Sequence, residues 1–298
     1  MKKYDTLVIG HICKDKNTDH LGNTVYAAGG AVLYSSAAGS ALGHHVGVLT
    51  KMNKSSSGLL KEFRVPAEDV YCVFSGNTTM MENTYFTADK EKRRSVCAAH
   101  GEPFSPADLP QDVSAEVYHL AGLLNGDYAP DMIPALSRLG AVAVDVQGYL
   151  RNADVACGGE MYFSDWKEKK DLLPYITFLK TDAAEAEILT GTADRAEAAK
   201  MLASWGAKEV LITHNSEVLV YAEGRILTCP IKSRDLRGRT GRGDTAFASY
   251  ICERLHHPPT KALLTATATV SLKMETPGPF TGTRAQVESY IKEFYGAC

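Results

Sequence analysis

Short apolar runs alternate with segments of helical periodicity along most of the chain. The runs that predict strands are residues 6–10, 45–50, 117–120, 141–146, 176–179 and 209–213. The segments that predict helices are residues 31–42, 130–139, 166–173, 183–189, 193–205, 261–273 and 284–295, with a further one ending near residue 255. Continuously apolar strands are typical of a parallel sheet that helices cover on both faces. The pattern therefore predicts an α/β fold, with a hairpin at residues 218–227.

Residues 69–100 depart from this pattern, because three β-prone runs follow one another with no helical segment between them. The runs lie at 70–74, 79–87 and 94–98, separated by turn-forming residues at 75–77 and 88–90. They predict an antiparallel flap that joins residues 11–27 in a small sheet. We expect a core domain of residues 1–10, 28–68 and 101–298 and a discontinuous lid of residues 11–27 and 69–100. A lid over the ligand edge of an α/β core excludes water from the site.

Composition and charge are those of an ordinary globular protein. Of the 298 residues, 45% are hydrophobic and 22% are charged, and the net charge is −3. No long basic or acidic run indicates nucleic-acid or membrane binding, and no apolar run approaches membrane-spanning length. The apolar run near the N-terminus is too short for a signal sequence. Seven scattered cysteines without a Cys-x-x-Cys pair indicate reduced thiols, which predicts a cytoplasmic protein.

A glycine-rich turn within residues 238–248 carries the strongest chemical signal. Gly241 and Gly243 flank Arg242, Asp244 follows at once, and a small-residue apolar run then predicts a helix. Glycines leave no side chain between backbone N–H groups and a ligand. A helix that begins behind such a turn presents unpaired N–H groups and the positive end of its dipole. The combination predicts an anion site, and phosphate is its usual occupant.

Asp244 is unexpected in such a site, because a carboxylate repels a resting phosphate. A general base for a hydroxyl that attacks a phosphoryl group would explain it. The alternatives are an ordinary helix N-terminus with an acidic first turn and a dinucleotide fingerprint at Gly241-x-Gly243-x-x-Ala246. The fingerprint requires a strand that runs directly into its first glycine, whereas polar residues 233–237 precede it here. The dinucleotide interpretation is therefore weak.

Three other acidic residues occupy positions that suit a ligand site. Asp15 follows the predicted strand that ends at Gly10, and the C-terminal edge of a parallel sheet is where ligand-facing residues lie. A solvated loop acid is the alternative interpretation of Asp15. Asp182 and Glu185 are three residues apart and so share one face of a helix. They are either an N-cap with first-turn support or two carboxylates directed at a metal–phosphate complex.

With these pieces in place, the chain resembles the ribokinase-like (PfkB) family of carbohydrate and nucleoside kinases over nearly its whole length. The matching features are the strand–Gly10…Asp15 opening, Gly29-Gly30, the β lid, Asp182-x-x-Glu185 with Thr190-Gly191, and Thr240-Gly241-Arg242-Gly243-Asp244. The family typically carries Asp-x-Thr-Gly-Ala-Gly-Asp at the last motif, and this chain departs from it at Gly238 and Arg242. The resemblance implies a ribokinase-like three-layer α/β/α core with a mostly parallel sheet, plus a small β-sheet lid.

The resemblance also implies an ATP-dependent phosphotransferase and assigns roles by position. Asp244 would be the base, and the N–H groups of Gly241, Arg242 and Gly243 would form the anion hole. Mg²⁺ would be held by Glu185, largely through water, and by Asp182, where the family usually has Asn. The positions that would bind the acceptor are Asp15, Gly29, Gly30 and Asp244. Those that would bind ATP are Thr240, Gly241, Gly243, Thr213 and Pro277.

The resemblance places the adenine beside residues 265–279 and implies a monovalent cation such as K⁺ nearby. Leu33 stands where family sugar kinases commonly have Asn, and His214-Asn215 stands where glycine is usual after Thr213. These departures leave the base in place and weaken the expectation of ribose or fructose as acceptor. A sugar or polyol, inositol included, ranks above a nucleoside. A catalytically silent ligand-binding homologue is the further alternative, and the retained Asp244 argues against it.

The direction of the Arg242 side chain and the oligomeric state are the two remaining features. Arg242 would either add positive charge at the phosphoryl group or point away while its N–H group contributes to the anion hole. Lids of this family often pair, so the resemblance also leaves a homodimer through the lid as an expectation.

Overall fold

A computed structural model describes residues 1–87 and 92–296 of the chain. Its strands are β1 (Lys2–Ile9), β2 (Cys13–Thr18), β3 (Thr24–Gly29), β4 (Val46–Met52), β5 (Val70–Phe74), β6 (Met80–Tyr85), β7 (Arg93–Ala99), β8 (Val113–Leu120), β9 (Ala141–Asp145), β10 (Arg151–Ala153), β11 (Met161–Phe163), β12 (Phe178–Asp182), β13 (Glu209–Thr213), β14 (Glu217–Ala222) and β15 (Arg225–Pro230). Its α-helices are α1 (Ala31–Ala41), α2 (Met132–Leu136), α3 (Gln147–Leu150), α4 (Lys169–Leu172), α5 (Ala183–Thr190), α6 (Arg195–Ser204), α7 (Arg242–Arg254), α8 (Pro259–Lys273) and α9 (Arg284–Tyr295).

The main sheet has the strand order β15-β14-β13-β12-β9-β8-β1-β4-β5 within the described residues. Its pairs are parallel from β5 to β13, and only the β13–β14 and β14–β15 pairs are antiparallel. The predicted mostly parallel sheet is confirmed. Because the chain enters every parallel strand at the same edge, the C-terminal ends of β1, β12 and β13 lie together at the opposite edge, where ligand sites form in open α/β sheets.

Alternate residues of the central strands pack into two different cores, which explains their continuous apolar character. Val142 and Val144 face a core shared with α2, α5 and α6, whereas Ala143 between them faces a core shared with α7 and α8. Helix α1 covers the same side as α7, over β1 and β4. The fold is therefore a three-layer α/β/α arrangement, as predicted. No helix among the described residues is long and apolar enough to cross a membrane.

The small sheet of the lid has the strand order β3-β2-β6-β7. Its outer pairs are antiparallel, as expected for the runs at 79–87 and 94–98, whereas β2 and β6, which join the two parts of the lid, run parallel. β5, which was assigned to the flap, instead extends the main sheet, parallel to β4. The two 3₁₀ helices Lys54–Glu62 and Ala67–Asp69 form the crossover that a parallel pair requires. The predicted turn at 88–90 lies outside the described residues, and the remaining bounds of core and lid stay a prediction.

Several helices are shorter than predicted, and one hairpin was missed. The segments at 130–139 and 166–173 form the short helices α2 and α4. The antiparallel strands β10 and β11 were not predicted, because three-residue strands carry little periodicity. This hairpin region contacts the lid, since Cys97 of β7 donates its N–H to the carbonyl of Gly159 at 2.8 Å.

A buried charge cluster joins the core to the lid at the point where the chain enters and leaves it. Asp127 accepts hydrogen bonds from the backbone of Leu123 and Leu124, and its Oδ1 lies 3.2 Å from His11 Nδ1 and 2.8 Å from His100 Nε2. His11 lies between β1 and β2, and His100 directly follows β7. Burial alone would raise the pKa of Asp127, but the two histidines outweigh it and hold that pKa well below its usual range.

We predict that Asp127→Asn lowers the free energy of unfolding by about 3 kcal/mol at neutral pH, because it removes a buried carboxylate that contacts His11 and His100 and accepts from the backbone of Leu123 and Leu124. The pKa of Asp127 is lower in the folded protein than in the unfolded chain. Its contribution is therefore present above the unfolded value of about 4 and is lost as the pH falls through the folded value. Urea unfolding of both proteins across this pH range measures the difference.

Glu116→Gln is the matched control, since Glu116 pairs with Lys3 at the surface and its loss should change little. Equal effects of the two substitutions, or an Asp127 effect that does not shrink in acid, would contradict the prediction.

Candidate active site at the anion turn

The anion turn (residues 238–243) meets the first turn of α7 in a geometry that requires glycine at position 241 and leaves little room for a side chain at position 243. Gly241 precedes α7 with φ +77°, and a Cβ there would overlap the ring of Tyr34 in α1. A Cβ on Gly243 would lie 3.3 Å from the Nζ atom of Lys180. The backbone thus carries no side chain at Gly241 and Gly243 at the start of α7, where the N–H of Arg242 donates to the carbonyl of Arg239 at 3.3 Å. Such a surface suits an anion.

Asp244 lies in the first turn of α7, half-buried beside this surface. Burial raises the pKa of its carboxyl, and the positive charges of Lys180, Lys273 and Arg151 act in the opposite direction. A carboxylate with a raised pKa is a stronger base, and nearby cations keep it ionised. The environment of Asp244 is therefore suited to accept a proton.

Lys180 lies under the turn and was not predicted as a site residue. Its Nζ donates to Asp145 Oδ1 at 3.0 Å and lies 3.8 Å from Glu185 Oε2. Burial alone would lower the pKa of Lys180, but these carboxylates outweigh it and raise that pKa, so the ammonium is permanently charged. The available signal in the sequence was a lysine at the end of a buried apolar strand, since lysine is almost never buried unless it is paired.

Asp182 and Glu185 form a reciprocal capping box at the start of α5. Asp182 Oδ1 accepts from the N–H of Glu185 and Glu185 Oε2 accepts from the N–H of Asp182, both at 2.8 Å. The structure therefore contains the N-cap that was one of the two interpretations of these residues. The binding of a metal by their carboxylates stays a prediction. Burial raises the pKa of Glu185 to about 7. In the described parts of the chain, groups of three potential metal ligands occur elsewhere, at Asp5–His44–His256 and at the His11–His100–Asp127 cluster.

Asp15 lies against the Gly29-Gly30 pair, as a shared acceptor site would require. A Cβ on Gly29 would overlap the Asp15 carboxylate, whose Oδ1 accepts from Cys13 Sγ at 3.0 Å. Gly30 has φ +107°, and a Cβ there would overlap the carbonyl of His11. Burial raises the pKa of Asp15, while the positive charge of Arg93 in β7 lowers it. The lid therefore contributes a cation to this side of the site.

Tyr34 connects the acceptor side to the anion turn, and the sequence did not single it out. Burial raises the pKa of its phenol, with further contributions from the negative charges of Asp244 and Asp15. Leu33, the neighbouring departure from the family pattern, is buried in the core beneath α1. Arg151 of β10 adds positive charge near Asp244, and its Nη2 donates to Gln147 Oε1 at 2.7 Å.

The residues expected to bind a nucleotide are only partly brought together. Thr213 ends β13, with Oγ1 3.9 Å from the position of a Cβ on Gly243. Thr240 and Pro277 are exposed. Gly238, where the family has Asp, donates its N–H to the carbonyl of Met274 at 2.8 Å. A Cβ on Gly238 would overlap the backbone beyond α8, which explains why no larger residue stands there.

Lys273 at the end of α8 is a second buried lysine that sequence reasoning missed. It is 1% exposed, and its ammonium donates to the carbonyl oxygens of Gly238 and Thr240. It also lies 5.2 Å from the centroid of the Tyr34 ring. Burial lowers the pKa of Lys273 to about 8, while Asp244 acts in the opposite direction. The ammonium thus holds the two carbonyl groups of the segment that leads into the anion turn.

The sequence model of pfkB family carbohydrate kinases matches residues 3–285 of this chain. A cytidine kinase of Thermococcus kodakarensis is 26% identical over 259 residues, which cover 82% of this chain and 86% of that protein.

Solved structures of kinases also superimpose on the chain. A pyrophosphate-dependent kinase of the ribokinase family, in complex with a pyrophosphate analogue and myo-inositol, is 33% identical with a TM-score of 0.84, covering 95% of this chain and 99% of its own. A pyrophosphate-dependent myo-inositol-1 kinase that two substitutions convert into a myo-inositol-3 kinase is 31% identical with a TM-score of 0.83, covering 97% and 99%. A ribokinase of Arabidopsis thaliana, with ribose and ATP, is 17% identical with a TM-score of 0.76, covering 98% and 99%, and shows the fold alone.

We predict that Lys180→Met lowers the free energy of unfolding by about 3 kcal/mol at neutral pH, because Asp145 and Glu185 then remain buried without a counter-charge. Burial raises the pKa of both carboxyls. Since protonation removes the uncompensated charge, the loss should shrink as the pH falls. Denaturant unfolding as a function of pH measures both effects.

The double variant Lys180→Met/Asp145→Asn is the control, and it should recover part of the lost stability. If Lys180→Met is as stable as the wild type, or if the second substitution only adds to the loss, the buried ion pair is not what stabilises this edge of the sheet.

Proposed function

We propose, from the premise that the chain belongs to the pfkB family of carbohydrate kinases, that it transfers a phosphoryl group from pyrophosphate to a hydroxyl of a cyclic polyol of the inositol type. The observation that carries the proposal is the position of Asp244. Its carboxylate lies beside a bare backbone anion site, and buried lysines lie beneath that site. Phosphoryl transfer needs a general base, a binding site for the moving anion and positive charge beside that site.

In the proposed reaction the acceptor hydroxyl attacks the terminal phosphorus, and Asp244 takes the proton of that hydroxyl. A new O–P bond forms, the bridging P–O bond of pyrophosphate breaks, and inorganic phosphate leaves with the bonding electrons. The N–H groups of Gly241 and Gly243 stabilise the negative charge on the moving group, joined by that of Arg242 when it turns from the carbonyl of Arg239 to the phosphoryl oxygens. The Arg242 side chain would either add positive charge at the phosphoryl group or point away from it.

Cationic side chains support pyrophosphate as the donor. Pyrophosphate has no base to bury, so its binding must come from charge and hydrogen bonds. The cations under or within the anion turn are Lys180, Lys273, Arg239 and Arg242. The similarity to pyrophosphate-dependent kinases agrees with this donor.

The packing of the segment expected beside adenine also favours pyrophosphate over ATP, which is the donor that the family resemblance implied. The segment that leads into the anion turn packs directly on the end of α8, through Gly238 and the carbonyl of Met274. An ion pair reinforces this contact, since Arg234 Nε donates to Glu275 Oε1 at 2.7 Å. A purine placed between these two segments would have to separate them. ATP remains the second candidate donor and is included in the test below.

The acceptor side suits a compound with several hydroxyl groups. Asp15 and Asp244 are acceptors for hydroxyl protons, and Arg93 and Arg151 are donors on the lid and the β10–β11 hairpin. Inositol phosphorylation by similar proteins agrees with such a substrate. A nucleoside is the second candidate acceptor, because one relative is a cytidine kinase. Exposed Tyr26 and Phe86 of the lid are the aromatic residues available to stack on a base.

Mg²⁺ would be held by Asp182 and Glu185, in large part through water. The residues fit a divalent cation, because the four carboxylates that act on Lys180 (Asp145, Asp182, Glu185 and Asp244) exceed its single positive charge. When bound, such a cation would neutralise phosphate charge. Glu185 must be ionised to contribute, and burial works against that by raising its pKa to about 7.

The proposal predicts that the protein converts pyrophosphate and an inositol into inorganic phosphate and a phosphorylated inositol. ³¹P NMR would follow a matrix of two donors, pyrophosphate and ATP, against inositols, pentoses, hexoses and cytidine. Asp244→Asn should lower kcat by about 10²-fold or more, because it removes the base without changing the shape of the side chain.

Glu116→Gln, far from the turn, is the control for handling and folding. Turnover with ATP alone would replace the proposed donor, and turnover with cytidine alone would replace the acceptor. If the folded wild type transfers phosphate from neither donor while ligands still raise its Tm, the protein is a silent binding homologue.

We also predict an acid limb in the pH dependence of kcat/KM with its midpoint near 7, because Glu185 works ionised and its pKa is raised to about 7. Rising Mg²⁺ should move this limb to lower pH, since a cation favours the ionised form. Initial rates across pH at several Mg²⁺ concentrations test this. Glu185→Gln should lose the Mg²⁺-dependent shift, and a limb that stays unchanged in this variant would belong to another group.

A further inference from the structure

Lys273 is a buried cation whose ammonium contacts neutral oxygens. Its partners are the carbonyl groups of Gly238 and Thr240, and no carboxylate within the described parts of the chain lies at ion-pair distance from it. A buried lysine is expected to have an anionic partner, because desolvation of an unpaired ammonium is costly. A ring of backbone carbonyl oxygens, by contrast, is how proteins replace the hydration shell of K⁺. Two oxygens of this kind hold the ammonium of Lys273.

We propose that Lys273 is a tethered monovalent cation that positions the anion turn, so that the enzyme needs no K⁺ for activity. The inference rests on the proposed phosphotransferase function and deepens it. The two carbonyl groups belong to residues 238 and 240, immediately before the glycines whose N–H groups form the anion hole. Holding these carbonyls fixes the peptide planes that lead into the turn. Lys273 is thus a positioning residue that acts through the backbone.

The surroundings leave no place for a free cation at these oxygens. The carbonyl groups are already engaged by the ammonium, and the backbone of Gly238 is packed against residues 273–276. The centroid of the Tyr34 ring lies 5.2 Å from the ammonium and adds a cation–π contact. The K⁺ that the family resemblance implied near the adenine segment therefore does not fit here, and the side chain supplies its charge.

Two substitutions of Lys273 separate charge from volume. Lys273→Ala removes the ammonium and leaves space for a free ion, whereas Lys273→Met removes the charge and keeps most of the volume filled. We expect the wild type to be equally active in choline, Na⁺ and K⁺ chlorides at equal ionic strength. Lys273→Ala should lose about 10²-fold in kcat without K⁺ and regain at least about a tenth of wild-type activity with K⁺ or NH₄⁺. Lys273→Met should be equally impaired and should not be rescued.

Thermal unfolding gives a second readout that does not depend on turnover. K⁺ should raise the Tm of Lys273→Ala by about 3 °C, because it binds the folded state alone, and should leave the wild type and Lys273→Met unchanged. Lys232→Ala is the matched control. Lys232 also donates to a backbone carbonyl, that of Phe294, but at the surface and away from the turn.

The outcomes decide the proposal in both directions. A wild type that K⁺ activates several-fold, a Lys273→Ala variant that is fully active in choline chloride, or a folded Lys273→Ala variant that K⁺ neither rescues nor stabilises would each overturn it. If the wild type transfers no phosphate from any donor, the proposed function fails. The Tm response of Lys273→Ala to K⁺ then still decides whether this is a cation site.

Discussion

The pairing of charges beneath the anion turn is the constraint on which the rest of this site depends. Lys180 and Asp145 are register partners in the neighbouring strands β12 and β9, so their ion pair lies within the sheet itself. An ammonium and a carboxylate taken out of water cost several kcal/mol each unless they remain together. The pair therefore fixes the edge of the sheet at which Glu185 and Asp244 are placed. Their raised pKa values follow from the same burial.

The two buried lysines have different tasks, which their partners define. Lys180 is surrounded by carboxylates and offsets them, whereas Lys273 contacts carbonyl oxygens and orders backbone. One balances the charge of residues that would face phosphate and metal, and the other shapes the turn that would hold the phosphoryl group. Both leave positive charge next to Asp244, which favours its ionised form despite burial.

The sequence was sufficient for the main sheet and for the turn, because both depend on local pattern. Continuous apolar strands must be covered on both faces of the sheet. A Gly-x-Gly-Asp turn before an apolar helix indicates an anion site. β5 was misassigned because a β-prone run does not reveal which sheet it joins. The crossover from β4 consists of 3₁₀ turns, which lack the periodicity of an α-helix.

Tyr34, Lys180 and Lys273 escaped prediction for a related reason, since their meaning lies in contacts far along the chain. Tyr34 meets a turn about two hundred residues later, and Lys273 meets one that precedes it by more than thirty. A lysine at the end of a helix is ordinarily solvated, and only the packing of α8 against the turn makes this one part of a site. Spacing within a motif cannot convey such contacts.

Because β2 and β6 are parallel, the chain runs outward from the core along both of these lid strands. Both strands leave the core at the root beside His11 and His100, and β3 and β7 return to it. At about 3.3 Å per residue, Asp15 lies about 7 Å from the start of β2 at Cys13, and Arg93 lies about 20 Å from the end of β7 at Ala99. For a given rotation of the lid, Arg93 therefore travels about three times as far as Asp15. Such a rotation would leave Asp15 nearly in place and would change the distance between Arg93 and the site.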